Sequence, residues 1–272
     1  MDILEKIIAH KQKEVHERRG LFPTKLLEQS IYFSSKPVSL KKYLLREDKS
    51  GIIAEIKRKS PSKGMINQYI SVERTSIGYM QAGASALSVL TDKDFFGGNN
   101  EDLTTARKFN FCPILRKDFT IDEYQIIEAK SIGADAILLI AAALEPDRIK
   151  QLAEFAQSLE LEVLVEVHNE EELGYSVHDS VDLIGVNNRN LKTFDVDIET
   201  SVRLAPMIPE EFVKISESGI SMPETILNLK THGFKGFLMG QSFMQYSRPE
   251  KACADFIEAL NYAENKVTVN GE

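Results

Sequence analysis

With 272 residues and 43% hydrophobic side chains, the chain can bury a full core as one large α/β domain or two modest ones, and its formal net charge of −8, without a basic stripe, speaks against a nucleic-acid partner. The longest apolar runs, such as residues 136–144, are too short and broken to span a bilayer, and Met1-Asp2-Ile3-Leu4-Glu5 has no signal-peptide pattern, so no membrane partner and a cytoplasmic location are expected. Cys112 and Cys253 stand far apart in apolar patterns and read as buried free thiols; His10, His16, His168, His178 and His232 have no metal-ligand spacing and read as surface or packing residues, so no metal is expected.

In chain order, Ile3, Leu4, Ile7, Ile8 and Val15 recur at helical spacing, which predicts an amphipathic helix over residues 2–19, with Gly20 as its C-cap, lying over one end of the fold. Residues 21–37 have no period and read as a packed connector, and residues 40–45 as a short helix. From Gly51 onward a short apolar strand that turns polar at its end alternates with a helix. Strands are placed at 52–56, 86–90, 113–115, 136–140, 162–165, 183–186, 213–215 and 237–239. Helix starts are marked by Thr120 with Glu123, Asn169 with Glu172, Ser221 with Glu224 and Ser247 with Glu250, and Gly83, Gly133 and Gly233 follow helices as stop signals. Residues 267–272 read as a frayed tail, and with so little chain after the last helix no fused second enzyme is expected.

The strands are too continuously apolar for a half-exposed antiparallel sheet, so a parallel sheet covered by helices follows. Eight alternating units suit a closed (β/α)8 TIM barrel with an N-terminal helical extension. A doubly wound open sheet should carry a glycine-rich dinucleotide fingerprint, and Gly97-Gly98 fails its spacing. Residues 1–272 are therefore read as one barrel domain, with residues 1–50 as a helical extension packed on it.

Active sites in such barrels form where the strands end. Side chains alternate along a strand, so Ile53, Glu55 and Lys57 share a face, as do Leu115 and Lys117, Leu164 and Glu166, Gly185 and Asn187, and Ile215 and Glu217. Several charges would thus face one cavity. For the pair at the end of the first strand, an internal ion pair is the bland alternative to a catalytic corner. Gly219 and Gly240, after the seventh and eighth strands, stand where barrels often bind phosphate through backbone amides. Ser60 is either a further phosphate donor or a Ser-Pro turn residue.

Ala54-Glu-Ile-Lys-Arg-Lys-Ser-Pro-Ser62, Ser88-Val-Leu-Thr-Asp92 with Phe95-Phe-Gly-Gly98, Leu115-Arg-Lys-Asp-Phe119, Leu164-Val-Glu-Val-His168, Gly185-Val-Asn-Asn-Arg-Asn-Leu191, Ser216-Glu-Ser-Gly-Ile220 and Gly240-Gln-Ser-Phe-Met244 closely resemble the motifs of the indole-3-glycerol phosphate synthase family, in the same order along the whole chain. Gln241 and Phe243 depart from the family's usual residues in the phosphate loop, where backbone amides would still bind. The resemblance implies a ring closure of 1-(2-carboxyphenylamino)-1-deoxyribulose 5-phosphate, with loss of carbon dioxide and water, in tryptophan biosynthesis and without a cofactor. It implies Lys117 as general acid on the ribulose carbonyl oxygen and Lys57 as the holder of the substrate carboxylate. Glu166 resembles the family's base or proton shuttle, Asn187 an orienting hydrogen-bonder, and Glu55 and Glu217 the carboxylates that tune the lysines. Ser218 would bind nearby, and phosphate would lie on Ser60, Gly219, Gly240 and Gln241 with Arg189 on the rim. Phe96, Phe119, Leu138 and Leu191 resemble the apolar lining for the anthranilate ring. A Schiff-base aldolase using Lys117 or Lys57, and a non-catalytic barrel that keeps only the phosphate cup, are the competing readings.

Overall fold

A computed structural model describes residues 2–270, with side chains through residue 266. Eight parallel strands close into a barrel: β1 (Ile52–Ile56), β2 (Ala86–Leu90), β3 (Ile114–Lys117), β4 (Ala136–Ile140), β5 (Glu162–Val167), β6 (Leu183–Asn187), β7 (Val213–Glu217) and β8 (Phe234–Met239). Each pairs with its sequence neighbours, and β8 returns to β1 through Ile52 opposite Phe237. A helix follows each strand, which makes the fold the expected (β/α)8 barrel. No helix among the described residues is long and apolar enough to cross a membrane.

The strands run further toward their charged ends than hydrophobicity alone indicates. Lys117 still pairs with Leu90, Glu166 with Gly185, and Asn187 with Glu217. The polar residues at these ends stay in the sheet because they find one another inside the barrel mouth, so polarity there does not end the strand. β8 instead begins early, at Phe234, with a register shift before Gly236. A Cβ on Gly236 would lie 2.7 Å from Ile215 Cγ1, so this glycine is an inward-facing strand position with no room for a side chain.

Alternation splits the core in two. Ile53, Ala86, Leu115, Leu138, Leu164, Leu183, Ile215 and Leu238 fill the barrel interior, and Ile52, Ala54, Leu87, Val89, Ile137, Val163 and Ile184 meet the surrounding helices. The short helix Leu40–Leu44, capped by Ser39, adds Leu40 and Leu44 to the interior cluster. Cys112 and Cys253 are buried free thiols, as expected.

The N-terminal helix runs Ile3–Leu21, opened by a capping box between Asp2 and Glu5. It passes through Gly20 and stops at Phe22, whose N–H bonds to Arg18 O, so Gly20 is not its C-cap. One turn of helix, Thr24–Leu27, interrupts the connector. Two other caps differ from expectation: Asp122, boxed with Gln125, replaces Thr120, and Met222 precedes the helix Pro223–Thr231 without a side-chain cap where Ser221 was expected. Asn169 caps the helix Glu170–Ser176 as expected. The last helix, Pro249–Asn270, extends over positions read as a frayed tail, and residues 271 and 272 of that tail lie outside the described residues.

Candidate active site

Every residue singled out from the sequence borders one cavity of about 440 Å³ at the C-terminal mouth of the barrel: Glu55, Lys57, Ser60, Phe96, Lys117, Phe119, Leu138, Glu166, Asn187, Arg189, Leu191, Glu217, Ser218, Gly219, Gly240 and Gln241. That volume suits a drug-sized ligand. Strand parity delivers Glu55, Lys117, Glu166, Asn187 and Glu217, each in phase with an inward residue two positions earlier, and Lys57 continues the phase of Glu55; Ser60, Arg189, Ser218 and Gln241 come from the segments that follow the strands.

At its floor the Lys117 ammonium donates to Glu166 Oε2 at 2.9 Å and to Glu217 Oε2 at 2.5 Å. Asn187 Nδ2 donates to the other Glu166 oxygen at 2.9 Å, and Asn187 Oδ1 accepts from the Arg189 N–H at 3.0 Å. Lys57 Nζ sits 2.6 Å from Glu55 Oε1, so the ion pair at the end of β1 exists and opens into the cavity. Glu217 Oε1 is buried and has no hydrogen-bond partner among the described residues. Gly185 makes room for it, because a Cβ there would lie 2.6 Å from that oxygen.

Two carboxylates sharing one ammonium titrate as a unit and are pushed apart. Burial favours the uncharged form of Lys117, but Glu166, Glu217 and Glu55 outweigh it and raise its pKa well above the ordinary lysine value. Burial likewise opposes ionisation of Glu166, yet Lys117, His168 and Asn187 together hold its pKa well below the usual carboxylate range. Glu217 moves the other way: burial raises it, Lys117 offsets only part of this, and the charges of Glu166 and Glu55 add to the rise, which reaches about 7. The floor therefore carries a firmly charged ammonium, a firmly charged carboxylate and a carboxyl group able to exchange a proton near neutrality.

The walls are divided. Phe96 and Phe119 pack in a tilted pair, 5.8 Å between ring centroids, on the apolar side with Leu138 and Leu191. On the polar side, Ser218 (φ 68°) and Gly219 (φ 81°) turn the chain sharply after β7, and Asn188 Nδ2 holds the Ser218 carbonyl at 3.0 Å. Gly240 starts the one-turn helix Gln241–Met244, and Ser242 Oγ donates to Ile220 O at 2.8 Å, tying these two loops together. Ser60 faces them from a small hairpin after β1, in which Lys59 and Ser60 pair with Met65 and Gly64. The Arg189 guanidinium is half-buried and donates to the Phe194 carbonyl at 2.9 Å, which leaves its positive charge uncompensated by that contact.

A family model described as indole-3-glycerol phosphate synthase matches residues 4–256. The chain belongs to the indole-3-glycerol phosphate synthase family. It is 49% identical over 259 residues to the indole-3-glycerol phosphate synthase of Bacteroides thetaiotaomicron, an alignment that covers 95% of this chain and 99% of that one. It is 46% identical over 245 residues to that of Caldanaerobacter subterraneus, covering 89% and 93%, and 43% identical over 251 residues to that of Acinetobacter baylyi, covering 92% and 93%.

Not every polar strand end in this indole-3-glycerol phosphate synthase family member joins the cavity floor. Arg116 turns outward to Glu128 at 2.6 Å and to Thr91 Oγ1 at 2.9 Å. Asp92 and Asp118 face the N-terminal helix, where each lies 3.0 Å from the fully buried Lys11 ammonium. That helix also brings Ile3, Leu4 and Ile7 to the cavity. The apolar stripe in the sequence foretold a cover but not a wall. His168, read as a surface or packing residue, lies between Glu166 and Glu172 with only 12% of its side chain exposed. Its signal was parity with Glu166, two residues away.

Proposed function

We infer that this chain catalyses the reaction of its family, the closure of 1-(2-carboxyphenylamino)-1-deoxyribulose 5-phosphate to indole-3-glycerol phosphate with release of carbon dioxide and water, and that the cavity residues divide the work. The observation that carries this reading is the Lys117 ammonium, held by Glu166 and Glu217 on the floor between an aromatic wall and a polar, amide-rich rim.

The anthranilate ring lies against Phe96, Phe119, Leu138 and Leu191, and the phosphate against Ser60, Gly219, Gly240 and Gln241 with Arg189 alongside. This places the ribulose carbonyl over Lys117. As the ring carbon bearing the carboxylate attacks the carbonyl carbon, negative charge develops on oxygen and Lys117 donates its proton there. The substrate carboxylate rests on Lys57, released in part from Glu55, and leaves as carbon dioxide when its bonding electrons restore the aromatic ring. Loss of water then needs a proton removed from the ring nitrogen or its adjoining carbon skeleton and a proton delivered to the departing hydroxyl. Glu166, ionised at neutral pH, takes the first, and Asn187 orients it. Glu217, with its pKa near 7, can return a proton to Lys117, which delivers it to the departing hydroxyl so that water leaves. A cytoplasmic setting belongs to the same reading and is supported by the two unpaired cysteines, which suit a reducing compartment.

Lys117→Ala should lower turnover by roughly 10²- to 10⁴-fold, the usual contribution of a positioned acid, with an unchanged circular dichroism spectrum. Formation of the fluorescent indole product at the wild-type rate would overturn the assignment. Schiff-base chemistry requires an uncharged lysine, whereas the two carboxylates hold the proton on Lys117. Borohydride added with substrate should accordingly trap no adduct.

A further inference from the structure

Glu166 has a neighbour that the division of labour above leaves unused. His168 sits just past the end of β5, and its outer side is anchored. Its Nδ1 lies 3.0 Å from Glu172 Oε2, and the same oxygen accepts the His168 N–H at 2.7 Å. Glu172 is itself held, since its Oε1 accepts from Asn169 Nδ2 at 2.8 Å and its N–H donates to Asn169 Oδ1 at 2.9 Å. The inner side of the imidazole is different. His168 Nε2 is buried without a hydrogen-bond partner among the described residues and lies 3.4 Å from Glu166 Oε1, in ion-pair range but without hydrogen-bond alignment.

A cap for the helix Glu170–Ser176 would not require this arrangement, because Asn169 already supplies it. Nor is an imidazole wedged between two buried carboxylates a neutral filler. Burial favours the uncharged ring, but Glu166 and Glu172 outweigh it and raise the His168 pKa to about 10. At neutral pH both ring nitrogens therefore carry protons, one for each carboxylate. The groups facing Glu166 are Lys117 from β3, Asn187 from β6, Glu217 from β7 and this imidazolium. Lys117 is committed to donate to substrate. His168 is the cation that stays in place throughout.

We propose that His168 is a positioning residue for the ring closure: anchored by Glu172, its ring fixes the Glu166 carboxylate in place and keeps it ionised, so that Glu166 can take up a proton during turnover. The inference rests on the assignment of Glu166 as the base. Its sign is defined, because removing a neighbouring cation raises the pKa of a carboxylate, so any step that needs ionised Glu166 must lose rate at higher pH than before.

The test is the pH dependence of kcat and KM for the full chain with the synthetic ring-open substrate. His168→Leu should lower kcat roughly tenfold with KM changed by less than about twofold, and should move the acid limb of kcat upward by about one pH unit. His168→Gln, which keeps a donor but no charge and serves also if the leucine variant folds poorly, should shift the acid limb in the same direction. Glu172→Gln should produce a smaller shift of that sign. In single-turnover measurements at high enzyme concentration, His168→Leu added to Glu166→Gln should produce no further loss of rate. A wild-type acid limb in the folded His168 variants, or an undiminished loss in the Glu166→Gln background, would overturn the proposal. Wild-type turnover by Glu166→Gln alone would instead overturn the assignment of the base.

Discussion

Gly240 shapes the cavity by what it lacks. A Cβ at this position would fall 2.4 Å from Glu55 Oε1 and 3.0 Å from Glu55 Cβ, at a backbone φ of −123° that any residue can adopt. The constraint is therefore steric: the end of β8 must stay bare so that the Glu55 carboxylate can reach Lys57. From sequence, Gly240 reads as an opening for phosphate, because a glycine does not reveal what approaches it. Gly240→Ala should push Glu55 off Lys57, lower kcat/KM by roughly tenfold or more, and destabilise the fold by about 1–3 kcal/mol, as small-to-large changes in packed sites do. Steady-state kinetics and thermal unfolding measure the two effects, and an unaltered kcat/KM would mean that Glu55 need not hold its place. The other residues of the floor are more legible. Glu55, Lys117, Glu166, Asn187 and Glu217 follow from alternation alone, since each stands in phase with an inward apolar residue.

Among the elements, the N-terminal helix departs furthest from its sequence pattern. Its buried stripe is Ile7, Lys11 and Val15, so a lysine occupies the centre of an apolar face. The charge is matched by Asp92 and Asp118, and those two carboxylates also accept the backbone N–H groups of Phe95, Phe96 and Phe119. One buried ammonium thus braces both loops that carry the aromatic wall. Burial would raise the Asp118 pKa, but Lys11, Arg116 and Thr91 outweigh it and bring it from the ordinary 3.8 down to about 2. A carboxylate lowered on folding contributes stability above its unfolded pKa, here about 2 kcal/mol by the usual conversion, and that contribution is lost as pH falls from 3.8 through about 2. Lys11→Met removes the cation facing Asp92 and leaves Asp118 with Arg116 as its remaining cationic partner, and should cost about 3–5 kcal/mol at neutral pH, with less of the stability remaining to be lost on acidification. Urea midpoints at pH 7 and pH 3 measure this, and equal midpoints for variant and wild type at pH 7 would show that packing alone seats the helix. Glu14 is a local partner of Lys11, but no periodicity argument finds the other two, which lie about 80 and 107 positions away in sequence.

At the scale of the whole molecule, the same ionic links run between the N-terminal segment and the barrel. Arg18 meets Glu128 at 2.6 Å, Glu128 meets Arg116 at 2.6 Å, and Arg116 reaches Asp118, which returns to Lys11. The Val38 N–H donates to Asp135 at 2.7 Å, and Tyr124 OH donates to Phe22 O at 3.0 Å. With Leu40 and Leu44 closing the barrel interior, residues 1–50 and the barrel are proposed to unfold as one unit. The chain has 8 tyrosines and no tryptophan, so tyrosine fluorescence and far-ultraviolet circular dichroism are suitable probes, and their thermal transitions should coincide. An earlier separate transition would identify the N-terminal segment as an independent unit.

By itself the sequence determined the eightfold alternation of strands and helices, the inward parity of the catalytic-type side chains, and, through motifs spread along the chain, the family. These are local or periodic properties, carried by neighbouring residues and by the geometry of a strand or a helix. Only the tertiary structure decided which carboxylate shares which ammonium, how far each strand continues into its polar end, and that Lys11 meets Asp92 and Asp118. Those are matters of barrel closure, which brings distant strand ends within about 3 Å of one another and out of water. There a charge is settled by the opposite charge it meets, and a sequence does not display that meeting.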